Sequence, residues 1–319
     1  MTDTPRRIGA HLPLGAGMVK AAERASEIGA DAIQIFSDNP TAWRRRTSPP
    51  AELPAFRGRL DALDLAPLAI HASYLINLAG PDEDFFVKSV GLLASELQTA
   101  RLYGARFVNV HIGSHRGTGA AAGAARVATG AALAFEAAGA DIGDVMLVLE
   151  NSAGDGFGLG TTADELAMVL DAIAAAGVPE DRVGLCLDTA HLWGAGIRLD
   201  RADEFDAFLD VLDARVGIGR VAMVHLNDSK SEPGSHTDRH QHIGAGEIGA
   251  VGLRNVLCHP RLADATYYLE TPGMDEGYDA INVARARDVV AGRSLAILPP
   301  AALDMRGSRS RSAPDDEPG

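Results

Sequence analysis

The chain has 319 residues, of which 46% are hydrophobic and 23% charged, and its formal net charge is −14 at pH 7. That length suits one α/β barrel with a sizeable core, and the sequence has no run of roughly 18 apolar residues that could span a membrane. The acidic balance argues against a surface coated in basic patches, the usual footprint of nucleic-acid binding, although bound divalent cations invert the local field that net charge describes.

The first residues, MTDTPRRIGAH, carry two arginines with no apolar stretch behind them, so no secretory signal is read and a cytoplasmic location is expected. Beyond them, short apolar or β-rich runs recur at residues 7–10, 32–36, 67–70, 107–110, 146–149, 183–187, 221–224 and 266–269. Between them lie stretches with apolar residues at helical spacing, among them 15–28, 84–103, 120–138 and 162–175. Strands alternating with helices imply parallel pairing through crossovers. Eight such units close a (β/α)8 TIM barrel. A seven-unit or open doubly wound sheet competes, but the open sheet's glycine-rich phosphate turn is missing after the first run, where residues 11–17 read HLPLGAG. Cys186, inside the sixth run, reads as core packing, and with Cys258 it cannot build a disulfide framework. The barrel is expected to be a single domain over residues 1–298, followed at 299–319 by a disordered polar tail too poor in apolar residues to offset ordering entropy.

The chemistry gathers where the strands end. The first run leads to His11, the third to His71, the fourth to His111, the fifth to Glu150, the sixth to Asp188, the seventh to His225 and the eighth to Glu270. A barrel's active site lies at the C-terminal ends of its strands, so these side chains converge on one mouth. One histidine after an apolar run is more often a hydrogen-bonded structural residue, and one acid there often caps the next helix. Six successive strands ending this way call for cations, because packed carboxylates repel without them. His191 follows Asp188 by three residues, and Asp238 and His240 alternate on a short extended piece, so both point the same way. The set is then five histidines, two aspartates and two glutamates, a composition that suits zinc or a comparable transition metal better than magnesium.

At these residues the chain resembles the endonuclease IV family, the zinc-dependent abasic-site endonucleases of the xylose-isomerase-like TIM barrel superfamily. The carriers are residues 8–11 (IGAH), 71–77 (HASYLIN), 109–115 (NVHIGSH), 149–154 (LENSAG), 186–191 (CLDTAH), 225–230 (HLNDSK), 238–249 (DRHQHIGAGEIG) and 269–271 (LET). The resemblance implies three Zn2+ per chain, with Mn2+ an alternative at one or more sites. It implies His71, His111 and Glu150 at one ion; Glu150, Asp188, His225 and Glu270 at a second; and His191, Asp238 and His240 at a third. It further implies a metal-bound hydroxide that hydrolyses the phosphodiester 5′ to an abasic site, with Glu270 or Glu150 orienting or deprotonating the water. Damaged double-stranded DNA is the implied partner, a monomer the implied state, and Tyr74, Arg44, Arg45 and Arg239 the implied DNA contacts. Three positions depart from the family's pattern: Thr41 where an arginine wedges into the DNA stack, His236 where arginine is usual, and Ala72 in place of an aspartate. The competing function is a single-metal sugar isomerase or epimerase of the same superfamily, which would need only Glu150, Asp188, His225 and Glu270. A lesion-binding protein without turnover would be expected to lack one of the nine residues, and none is missing.

Overall fold

Eight parallel strands close on one another in the computed structural model, which describes residues 6–303. They are β1 (Ile8–His11), β2 (Ile33–Ile35), β3 (Leu68–His71), β4 (Phe107–His111), β5 (Met146–Glu150), β6 (Val183–Asp188), β7 (Val221–His225) and β10 (Thr266–Leu269). The order around the barrel is β1-β10-β7-β6-β5-β4-β3-β2, so the open-sheet alternative is excluded. A two-stranded antiparallel hairpin, β8 (Asp228–Ser229) with β9 (His240–Gln241), stands on the loop after β7.

Helices pack outside the strands and bury one face each. In α1 (Met18–Glu27) that face is Met18, Ala21, Ala22 and Ala25, the spacing of a single helical stripe. In α3 (Glu83–Tyr103) the Asp82 side chain accepts from the Phe85 N–H, acids fill the first turn, and Gly104 closes the end in the left-handed conformation. The expected helices at 120–138 and 162–175 are α4 (Ala120–Ala138) and α5 (Ala163–Ala175). Further helices are α2 (Leu53–Ala62), α6 (Thr189–Gly194), α7 (Ala202–Val216), α8 (Gly249–Leu257), α9 (Asp279–Ala291) and α10 (Pro300–Leu303). The last of these lies past the expected end of the barrel: Ala302 is buried and its carbonyl accepts from His242 Nε2 at 2.9 Å, so the fold continues through residue 303. The remainder of the expected tail, 304–319, lies outside the described residues. No helix among the described residues is long and apolar enough to cross a membrane.

Two apolar layers result. The larger fills the space between strands and helices. The smaller lies inside the barrel, where Ala32, Ala69, Phe107, Val148, Cys186, Met223 and Tyr268 form a plug. Each is contributed by a different strand, or in the case of Ala32 by the residue just before one. Beside it, Gly9 lets β1 approach β2: a Cβ there would fall 2.5 Å from the Ala32 carbonyl oxygen.

Candidate metal centre

Successive side chains of a strand alternate between its faces, so a residue two positions past a plug residue also points inward. Those residues are Gln34, His71, Asn109, Glu150, Asp188, His225 and Glu270. The first six are buried, and Glu270 is 14% exposed in its side chain. Directly above an apolar plug therefore sits a polar ring at the C-terminal mouth.

Within it, donor atoms of His71, His111 and Glu150 lie within 4.8 Å of one another, as do those of Glu150, Asp188 and His225 and those of Asp188, His191 and His240. Glu150 joins the first two groups and Asp188 the last two. Asp238 adds to the third, its carboxylate 3.0 Å from His240 Nε2 and 3.3 Å from His191 Nε2. Glu270 adds to the second, 3.3 Å from His225 Nδ1. All nine residues singled out in the sequence are thus brought to one mouth. The third group differs in detail, since Asp188 stands in it beside Asp238.

The local fold aims each imidazole. His71 Nδ1 is 2.7 Å from the Ala72 carbonyl, His191 Nδ1 2.9 Å from the Asn151 carbonyl and His240 Nδ1 2.9 Å from the Glu270 carbonyl. A carbonyl only accepts, so each Nδ1 donates to its carbonyl and each Nε2 is turned toward the carboxylates. Asp188 does two things at once: one oxygen caps α6 by accepting from the His191 N–H at 2.8 Å, and the other faces the cluster. Side-chain amides orient the remaining oxygens, Asn109 donating to Glu150 at 2.6 Å and Asn227 to Asp188 at 2.7 Å. The β8–β9 hairpin, which delivers His240, is held by the buried Asp228 carboxylate, which accepts from the N–H groups of Ser229, Gly246, Ile248 and Gly249.

Electrostatics follow from burial. Burial pushes the Glu150 carboxyl up, but His225 and His111 outweigh it and hold it well below the usual carboxylate range. Burial opposes ionisation of Asp238 too, and His240 and His191 overcome it. His240 is held up to about 10, burial notwithstanding, by Asp238. His71, by contrast, is pushed by burial down to about 4. The carboxylates thus stay ionised and draw positive charge from their neighbours. Any cation satisfying them would also displace the protons they hold on His191 and His240. Among the described residues, two buried ring nitrogens, His225 Nδ1 and His11 Nε2, have no hydrogen-bond partner. Mixed imidazole and carboxylate ligand types, ring nitrogens turned inward and an orphaned buried Nδ1 fit borderline divalent metals such as zinc.

The expected DNA contacts are placed unequally. Tyr74 is 55% exposed on the rim, its ring 5.4 Å from that of His71 and 5.2 Å from that of Phe36. Arg44 and Arg239 are exposed. Arg45 is a correction: its side chain is 11% exposed and points inward, with Nη2 at 2.6 Å from the buried Glu96 of α3 and Nη1 at 2.9 Å from the Asn39 carbonyl. Its charge already has a partner, so it is a brace for the β2–α2 loop and not an available phosphate contact. Thr41 hydrogen-bonds the Asn39 side chain through N and Oγ1, Ala72 is buried, and His236 adopts a left-handed φ of 54° with Nδ1 3.2 Å from the Ala153 carbonyl. Gln34 and Asn109 were not singled out in the sequence. Their signal was there, Gln34 as the one polar residue of β2 and Asn109 two positions before His111 in β4.

Comparison with known proteins places the chain. The xylose isomerase-like TIM barrel family matches residues 22–294. A probable endonuclease 4 of Methanoculleus marisnigri is 40% identical over 282 residues, covering 88% of this chain and 98% of the relative. That of Chloroflexus aurantiacus is 37% identical over 288 residues, covering 90% and 99%. Among solved structures, endonuclease IV from Thermus thermophilus superposes with a TM-score of 0.77 at 39% identity, covering 90% of this chain and 99% of that one. A D-tagatose 3-epimerase-like protein superposes at 0.64 with 17% identity, covering 89% and 96%, a likeness of fold alone.

Proposed function

The chain belongs to the endonuclease IV family of xylose isomerase-like TIM barrels, and from that premise we propose that this nuclease hydrolyses the DNA phosphodiester 5′ to abasic sites. Three zinc ions are assigned to its mouth: the first to His71, His111 and Glu150, the second to Glu150, Asp188, His225 and Glu270, and the third to His191, Asp238 and His240. The observation that carries the proposal is the gathering of four carboxylates and five imidazoles above an apolar plug. The Asn109 and Asn227 amides donate to Glu150 and Asp188, and backbone carbonyls face the Nδ1 atoms of His71 and His240.

Bound zinc would supply Lewis acidity, activating water at neutral pH and offsetting charge on phosphate oxygens. The chain's own residues divide the remaining work. Glu150 is buried on all sides among His71, His111, His191 and His225, which suits it to holding the cluster together. Glu270 is the more open of the two glutamates and is steadied by Gln34 and His11, which suits it to orienting a water or taking its proton. Tyr74, Arg44 and Arg239 stand on the exposed rim, where a duplex would lie. An abasic nucleotide has no base to unstack, so its extrusion costs little and favours damaged over intact DNA.

The test is a duplex carrying one abasic-site analogue, incubated with the purified chain alongside metal analysis. A nick on the 5′ side, lost on prolonged chelation and restored by zinc, with three ions per chain, supports the proposal. A single ion, ketose turnover and an intact duplex would favour a sugar isomerase instead.

A further inference from the structure

Three of the inward-facing imidazoles are oriented by backbone carbonyls; His225 is oriented by a side chain. Gln34 lies fully buried in the middle of β2, with Oε1 3.0 Å from His225 Nε2 and Nε2 2.6 Å from Glu270 Oε1. A carboxylate can only accept at the pH where this cluster is ionised, so the amide edge facing Glu270 is the NH2. The opposite edge is then the carbonyl, and it can only accept from His225 Nε2, which must carry a proton. That leaves Nδ1 as the nitrogen that faces the cluster, 3.3 Å from Glu270, 3.4 Å from Glu150 and 3.9 Å from Asp188. This Nδ1 is one of the two buried ring nitrogens without a hydrogen-bond partner among the described residues.

We infer that Gln34 is a positioning residue: one amide fixes which nitrogen of His225 faces the second ion and holds the Glu270 carboxylate beside it. The inference rests on the proposed zinc set, and it concerns metal retention and proton placement, not the choice of substrate. A buried glutamine that merely filled space would need neither orientation, and a methionine of similar length would serve as well. Partners that orient a metal-binding histidine change metal affinity about 10- to 100-fold when removed.

Two measurements on the zinc-loaded full chain test it. With 15N-labelled histidine, the imidazole resonances of His225 in the unaltered protein should show a slowly exchanging proton on Nε2; a proton on Nδ1 overturns the inference without any variant. In Gln34→Met, titration with a chelator should release one zinc about 10- to 100-fold more readily than in the unaltered chain, with the others retained. Retention of all zinc as in the unaltered chain overturns it. If Gln34→Met does not fold, the imidazole measurement decides. Should the unaltered protein hold zinc with this proton placement but leave abasic DNA intact, the proposed activity falls and the role of Gln34 stands. Should it hold no zinc, the metal assignment fails first.

Discussion

Removing the Glu96 carboxylate should destabilise the protein far more than removing its partner Arg45. The guanidinium is 11% and the carboxylate 2% exposed, joined at 2.6 Å, and Ser37 Oγ donates to the other carboxylate oxygen at 2.6 Å. In Glu96→Leu the guanidinium keeps only the Asn39 carbonyl, with Nε already unpartnered, and it cannot shed its charge. An uncompensated charge of this kind costs about 3–5 kcal/mol. In Arg45→Met the stranded group is a carboxyl, which can become neutral by taking a proton. Burial already pushes Glu96 above the usual carboxylate range, with Arg45 opposing, so loss of Arg45 moves it further up. Between the unfolded and the raised folded value the native state holds a proton that the unfolded state lacks, so stability rises as pH falls through that window. The Arg45→Met deficit should therefore shrink between neutral pH and about pH 5, whereas the Glu96→Leu deficit should not. The double variant should recover most of the loss, because a buried pair replaced by apolar groups is near neutral. Urea denaturation of all four chains at both pH values reads these differences. Equal losses for the two single variants at both pH values would show that the pair is solvated and the reasoning wrong.

Chelation should lower the melting temperature by at least about 5 °C, since each ion held at a hundredfold excess over its Kd contributes roughly 2.7 kcal/mol; calorimetry with and without added zinc checks this. Gly246→Ala places a Cβ 2.2 Å from the Ser229 carbonyl oxygen and 2.6 Å from the Asp228 carboxylate, so it should cost about 1–3 kcal/mol in urea denaturation and loosen the hairpin that carries His240. Tyr74→Ala, on the exposed rim, should change stability by less than about 0.5 kcal/mol. The same change should weaken binding to an abasic duplex by roughly 1–3 kcal/mol, measured by fluorescence anisotropy.

The strand ends were legible because each barrel strand delivers its last inward residue to the same mouth, so His71, His111, Glu150, Asp188 and His225 announce themselves one strand at a time. Gln34 was harder to see, since a lone polar residue within an apolar strand reads as a local interruption until the barrel closes and gives it neighbours, and Asn109 was overshadowed by His111 two positions on. Arg45 misled for a different reason. Within an arginine triplet it resembles a solvated patch, and its partner Glu96 lies 51 residues away on a helix where it reads as one more acidic residue. The placement of Asp188 in the third group was hidden because a helix cap and a ligand look identical in sequence, and here one side chain has both geometries.

The plug of Ala32, Ala69, Phe107, Val148, Cys186, Met223 and Tyr268 seals the barrel from below, while the mouth opens through His111, with its side chain 41% exposed, and Asp238, at 30%. Among the described residues, these two side chains mark an open side of the cluster. Whatever reaches the cluster from that side passes the same threshold, so a duplex resting across it would also act as a stopper, slowing the escape of whatever lies beneath.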